Sequence, residues 1–304
     1  MTSLTIRHVT TYRYRQPVSF GEHRLMLRPR EQHDQKIIEA SLGITPVPSS
    51  LRFVEDSFGN HVAIACFTGQ ATELSFESIV SLEHLPADTS AIELEDHART
   101  YPVDYTGIEA PDLADCLQRR YPDPENEIGR WAGQFLEKDG PIVTLDLLAR
   151  LSRGIQQAFV YRRREAKGIQ SPLETMQLGQ GTCRDFALLM IEAARALGFA
   201  ARFASGYLAS PSEELAEPEA KKTVSSASEE GPHGATHAWA QVYLPGAGWV
   251  DFDPTCGSVG KSALVTVAVV HDPNDALPLH GTFIGGPSDP LGMDVHVSVT
   301  SGSA

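Results

Sequence analysis

Residues 72–84, TELSFESIVSLEH, set Leu74, Phe76, Val80 and Leu82 against Glu73, Ser75, Glu77, Ser81 and Glu83. A two-residue alternation puts one face of an extended strand in a core and the other in water, and a helix cannot accommodate it. Ile38, Ala40, Leu42 and Ile44 repeat the pattern, and Phe58-Gly59-Asn60 reads as a turn feeding the strand HVAIACF. Nothing before residue 85 has a helical period. The expectation for residues 1–95 is an antiparallel β-sandwich.

The text then changes character. From about residue 86 to 125 it is rich in Pro, Asp and Glu, and residues 96–140 are assigned to a connector with short helical pieces. Leu147, Leu151, Ile155 and Phe159 form an apolar stripe at helical spacing. Ser171-Pro172-Leu173-Glu174 has the form of a capping box with proline in the first helical position, and that helix should stop near Gly179. The next helix begins at Cys183, buries Phe186, Met190, Ala193, Ala194 and Leu197, and ends at Gly198, where a left-handed cap is expected. Three strands follow, AARFASGYL, THAWAQVYL and GWVDFD, the last two joined by the tight turn PGAG. LVTVAVV (264–270) and the final DVHVSV are expected to close this sheet at its edge. Residues 141–304 therefore read as an α+β domain with a C-terminal β extension.

Composition removes several function classes. The 304 residues carry a formal charge of −14 with no long basic run, which excludes a polyanionic partner such as nucleic acid. The four cysteines lie far apart without CxxC spacing, as expected of reduced thiols rather than a disulfide framework. The N-terminus lacks an apolar signal region and no stretch of 18 apolar residues occurs, so the expected location is the cytoplasm, away from membranes.

The chemistry concentrates in three residues: Cys183, then His237, then Asp253. A thiol attacks only as thiolate, and the head of a helix favours that anion. Gly179, Gly181 and Thr182, small residues just before it, let a substrate backbone approach. His237 begins a strand on which Trp239, Gln241 and Tyr243 share its face, and Asp253 ends the partner strand. An aspartate beside a histidine fixes the imidazole tautomer and leaves the other nitrogen for the thiol.

The blocks G-x-C-R-D-F-A…L-G-F-A-A-R and H-A-W…V-Y-L-P-G…G-W-V-x-F-D-P-T resemble the bacterial transglutaminase-like superfamily of papain-fold thiol enzymes. The preceding β-rich region is similar to the N-terminal domain that many of these proteins carry, so the likeness spans residues 1–256. It implies a papain-like α+β domain with Cys183 as nucleophile, His237 as general base and Asp253 as third member. Asp251, on the same strand face, is the rival for that third role; the family's acid directly precedes Pro-Thr, which favours Asp253. Gln241 stands where Glu is common, and Cys256 where Asn is common; Cys256 is either inert or redox-sensitive.

The implied reaction is acyl transfer at an amide of a peptide or protein, without a cofactor. Hydrolysis leads, transglutamination or deamidation is the alternative, and a non-catalytic peptide-binding module is the second alternative. The oxyanion would meet the Cys183 backbone N–H, with Tyr161 and Gln180 as candidates for a second donor. Trp239 and Asp251 are candidates for the cleft, and residues 210–233, acidic and poor in large apolar side chains, for a mobile lid. Other features have plainer readings. Asp185 suits a helix N-terminus, and Arg162, Arg163 and Arg164 suit a solvated face. His233 and His237, four apart, lack the further ligands a zinc site needs, and Cys66 and Cys116 read as core.

Overall fold

A computed structural model of the chain describes residues 2–85, 92–105, 109–137, 140–162, 168–209, 236–260 and 264–302. Residues 210–233 with His233, and Arg163 and Arg164, lie outside the described residues.

The N-terminal part is antiparallel β, as its alternation requires. Its strands are β1 (Thr2–Leu25), β2 (Gln35–Thr45), β3 (Ser50–Glu55), β4 (His61–Cys66) and β5 (Gln70–His84), in the order β2-β5-β1-β4-β3. Gly59, at positive φ, makes the turn before β4. Leu74, Phe76, Val80 and Leu82 are all buried, as β5 predicts. On β2 the pattern slips. A register shift between Ile37 and Glu39 turns Ile38 outward, 56% exposed, and Leu42 and Ile44 face partly inward. The bulge inserts one residue, so a period counted through it lands on the wrong face.

The connector holds a 3-10 turn at Asp96–Ala98, then α1 (Glu109–Leu117) and α2 (Glu127–Gly133). There follow α3 (Thr144–Ala158), β6 (Val160–Tyr161), α4 (Pro172–Leu178), β7 (Gln180–Gly181), α5 (Cys183–Ala196), β8 (Ala201–Leu208), β9 (Thr236–Leu244), β10 (Gly248–Asp253), β11 (Ser258–Val259) and β12 (Leu264–Val270). The capping box predicted for α4 is complete. Ser171 Oγ accepts from the Glu174 N–H, the Glu174 carboxylate accepts from the Ser171 N–H, Pro172 holds the first position, and Gly179 caps the end at φ 64°. The fold class is the expected one: an antiparallel N-terminal sheet followed by an α+β domain.

The second sheet runs β11-β10-β9-β8-β12, antiparallel throughout, with α5 packed on β8 and β9. α5 was expected to show one apolar face, yet it is buried on all sides from Asp185 to Arg195, because α2, α3 and α4 cover what the sheet does not. Its polar residues satisfy each other: Arg195 Nη1 donates to Glu192 Oε1 at 2.8 Å, and Arg195 also donates to the carbonyls of Cys116 and Ala201.

The chain closes differently from the expectation. β12 does take the edge of the second sheet beside β8, but β13 (Leu279–Ile284) and β14 (Pro290–Gly302) return to the N-terminal sheet and pair with β1. β14 runs 13 residues alongside β1, and local periodicity does not name a strand's partner. The two parts meet through Leu4, Ile6, Val80, Leu82, Val297 and Val299 packed against Tyr207, Val265 and Val267. Two amide side chains bind the outer edge of β12 as a neighbouring strand would. Asn60 exchanges hydrogen bonds with the backbone N–H and C=O of Val269 (2.9 and 2.8 Å), and Gln35 does the same with Thr266 (3.0 and 2.8 Å). Buried peptide groups must find partners, and here the N-terminal part supplies them.

Candidate active site

Cys183 is the first residue of α5. Thr182 precedes it as cap, its Oγ1 accepting from the Asp185 N–H while the Asp185 carboxylate accepts from the Thr182 N–H. The other Asp185 oxygen accepts from the Gln170 N–H at 2.8 Å, so Asp185 is committed to holding the segment that presents the thiol. β6 and β7 brace the same segment from the other side: the Val160 N–H donates to Gly179 O and the Arg162 N–H to Gly181 O, both at 2.9 Å.

β9 carries His237 and β10 carries Asp253. The hairpin through Gly246 and Gly248, both at positive φ, sets a register in which Phe252 faces Ala240 and Asp251 faces Gln241. His237 Nε2 donates to Asp253 Oδ2 at 2.7 Å, with both side chains buried. Asp253 Oδ1 accepts from the Thr255 N–H at 2.9 Å, and the Cys256 thiol donates to Oδ2 at 3.3 Å. The Cys183 side chain lines the same cavity as this imidazole and is close enough to bear on its charge. With Nε2 engaged by Asp253, Nδ1 is the nitrogen left for it.

The electrostatics follow from this placement. Burial alone would lower the His237 pKa, but the hydrogen bond and charge of Asp253, and then Cys183, outweigh it and raise the value to about 10. Burial likewise opposes charge on Asp253; His237, the Thr255 N–H and Cys256 overcome it and hold the carboxyl below its ordinary value. Burial and the Asp253 charge push the Cys256 thiol up to about 11, so it stands as a neutral S–H donor.

Asp251 is not on the imidazole. Its Oδ1 accepts from Gln241 Nε2 at 2.9 Å and from Trp239 Nε1. Trp239 is fully buried and stacks beside His237, ring centroids 6.3 Å apart. Both had been expected on the cleft wall. They lie behind it: Trp239 is covered by Ala204 and Leu208 of β8, Leu264 and Val269 of β12, and Phe58 of the N-terminal part, so sharing a strand face with His237 does not bring a side chain to the surface.

The space in front of the thiol is a cavity of about 60 Å³ lined by Cys183, His237, Arg184, Ser205, Gly206, Tyr207, Thr236 and Val267 of the second part, and by His8, Met26 and Pro278. His8 and Met26 belong to the N-terminal part, which therefore forms one wall of the site. Sequence reasoning missed them, because no local signal in HVTTYRY points across a domain boundary. Gly206 carried a signal: a glycine inside a strand marks close backbone approach. Tyr161 sits beside Gly181 in β6 with its ring near Phe186, and Gln180 is half-buried in β7; neither lines the cavity. Among the described residues no group of three or more His, Cys, Asp or Glu is placed to hold a metal ion, and no helix is long and apolar enough to cross a membrane.

Comparison with known proteins matches two family models in tandem. The bacterial transglutaminase-like N-terminal region matches residues 4–83, and the transglutaminase-like superfamily core matches residues 132–254. An uncharacterized protein of Mycobacterium tuberculosis is 28% identical over 302 residues, covering 97% of this chain and 91% of that protein. One of Mycobacterium leprae is 26% identical over 304 residues, covering 99% of each. Among solved structures, one described as "a Putative Cysteine Protease from Cytophaga hutchinsonii" superposes with a TM-score of 0.70 at 20% identity, covering all of this chain and 91% of that one. At that identity the likeness establishes the fold.

Proposed function

Because the chain belongs to the transglutaminase-like superfamily, we propose that it is a thiol-dependent amide hydrolase acting on peptide or protein substrates through Cys183, His237 and Asp253. One observation carries this reading. The thiol at the head of α5 meets an imidazole whose far nitrogen is bound to a buried carboxylate at 2.7 Å.

In the proposed reaction the Cys183 thiolate attacks the substrate carbonyl carbon while His237, kept protonated by Asp253, stands ready as acid. The oxyanion is met by the backbone N–H of Cys183, where the unpaired donors at the start of α5 favour negative charge. His237 Nδ1 gives its proton to the leaving amine, and the C–N bond breaks to leave a thioester on Cys183. Water, deprotonated by the now neutral His237, attacks the thioester and releases a carboxylic acid and the thiol. Asp253 orients the ring throughout. Neither Cys256 nor Asp185 takes part in a bond change; they hold Asp253 and the nucleophile segment. All four cysteines are free, which suits a reducing compartment, and we place the reaction in the cytoplasm.

The test is incubation with a peptide library, with and without a labelled primary amine, read by mass spectrometry. Shorter peptides made by the wild type and not by Cys183→Ala support hydrolysis. Amine adducts, or a gain of about 1 Da at glutamine, would replace hydrolysis by amine transfer or deamidation on the same triad. No Cys183-dependent product with any peptide would favour a non-catalytic peptide-binding module.

A further inference from the structure

A second and larger cavity, about 640 Å³, lies away from the thiol, lined by Phe58, Tyr243 and Trp249, by Arg202, and by Asp112 and Asp115 of α1 among others. Its volume is in the range of small-molecule sites. Arg202 is its most constrained group. Arg202 Nε donates to Gln241 Oε1 at 2.8 Å, and the guanidinium stacks on the Trp249 ring at 3.9 Å. Gln241 is itself fixed by donating to Asp251. Burial dominates the electrostatics of Arg202, and among the described residues it forms no ion pair. Asp251, held behind Gln241, offsets part of the charge. A desolvated guanidinium fixed in orientation and without a direct ion pair still presents donors to an anion, and its planar fork matches a carboxylate.

A simple carboxylate would meet repulsion, because two acids line the same cavity. Asp115 meets the exposed Arg120 at 3.8 Å, and its charge also bears on His271 and Cys116 of the same cavity. A ligand carrying both charges satisfies both sides, and three aromatic rings supply a surface for an apolar body. Trp249 and Tyr243 pack edge to face at 5.4 Å, so the two rings form a rigid part of the cavity wall.

We propose that this cavity binds small aromatic zwitterions, free amino acids or dipeptides, with the carboxylate on Arg202 and the ammonium group toward Asp112 and Asp115. The site is independent of the catalytic reading, since none of its groups is a member of the triad. It is tested on the full chain by calorimetric titration with L-phenylalanine and with glycyl-L-phenylalanine. Each probe is compared with its C-terminal amide and its N-acetyl form, which remove one charge apiece. The expected result is saturable binding of at least one probe, weakened about tenfold or more by either cap. Arg202→Gln should abolish it. Asp112→Asn, a change at an exposed position, should weaken it severalfold while leaving the thermal unfolding unchanged. Absence of binding by both probes, equal binding of a capped form, or unaltered affinity in Asp112→Asn would overturn the proposal.

Discussion

His8 Nδ1, on the first strand of the N-terminal sheet, lies 3.0 Å from the hydroxyl of Tyr207 on β8, and that hydroxyl donates onward to the Leu27 carbonyl at 3.2 Å. The bond fixes the tautomer. Tyr207 spends its proton on Leu27, so His8 donates through Nδ1, and its Nε2 accepts from Thr10 Oγ1 at 3.1 Å. Both residues line the cavity in front of Cys183. The N-terminal part is therefore bound to the thiol domain at the site itself.

Acid should loosen that contact. Burial lowers the His8 pKa from 6.5 to about 4. The unfolded chain takes up a proton below about 6.5 that the folded chain refuses until about 4, so this contribution is present above the first value and is lost as pH falls toward the second. His8→Gln should flatten the dependence of Tm on pH between 6.5 and 4. Parallel curves for the two proteins would reject the assignment.

Asn60 tests the docking of the two parts. Asn60→Ala leaves the N–H and C=O of Val269 without their partner in a buried setting. The expected loss is about 2–6 kcal/mol, two unsatisfied groups at the ordinary cost of each. Denaturant unfolding would measure it, and a loss below about 0.5 kcal/mol would show that another group takes Asn60's place.

Gly206 pairs with His237 across β8 and β9 while β12 bulges past it between Thr266 and Ala268. A Cβ there would stand 1.9 Å from the Val265 carbonyl oxygen, which is backbone and cannot swing aside. Gly206→Ala should cost about 1–3 kcal/mol and also slow Cys183 chemistry, because the displaced strand carries the cavity wall. A variant as stable and as reactive as the wild type would contradict the close approach.

Asp253→Asn removes the carboxylate that keeps His237 charged. The His237 pKa should fall from about 10 toward its ordinary 6.5. The stabilisation due to the raised value is full below about 6.5 and lost as pH rises through about 10, so wild type should lose its advantage over the variant across that interval. Histidine ring NMR follows the titration directly. Peptide hydrolysis should drop about 100-fold, and Asp251→Asn should cost far less, since Asp251 contacts Trp239 and Gln241 instead.

What could be read from the sequence was what local chemistry controls. The capping box at Ser171, the stop at Gly179 and the helix head at Cys183 are set by neighbours within four residues, and each is where the residues put it. The pairing of His237 with Asp253 was legible because a tight hairpin converts spacing into geometry. The rest depended on partners distant in the chain. Nothing in Asn60 or Gln35 says that an amide side chain will stand in for a strand, and nothing in β14 says that it will choose β1. Trp239 shows the same limit. Its strand face was readable, while its burial was set by β8, β12 and Phe58 of the N-terminal part.

The central claim is that His237 activates Cys183, and thiol alkylation tests it without knowledge of the substrate. At pH 7, iodoacetamide should modify Cys183 well ahead of Cys66, Cys116 and Cys256. Burial pushes the Cys116 thiol up, and burial with Asp253 takes Cys256 to about 11, so neither offers much thiolate. His237→Ala should slow Cys183 labelling by about tenfold or more while leaving the other three unchanged. Equal labelling of all four thiols, unaffected by loss of His237, would contradict the account.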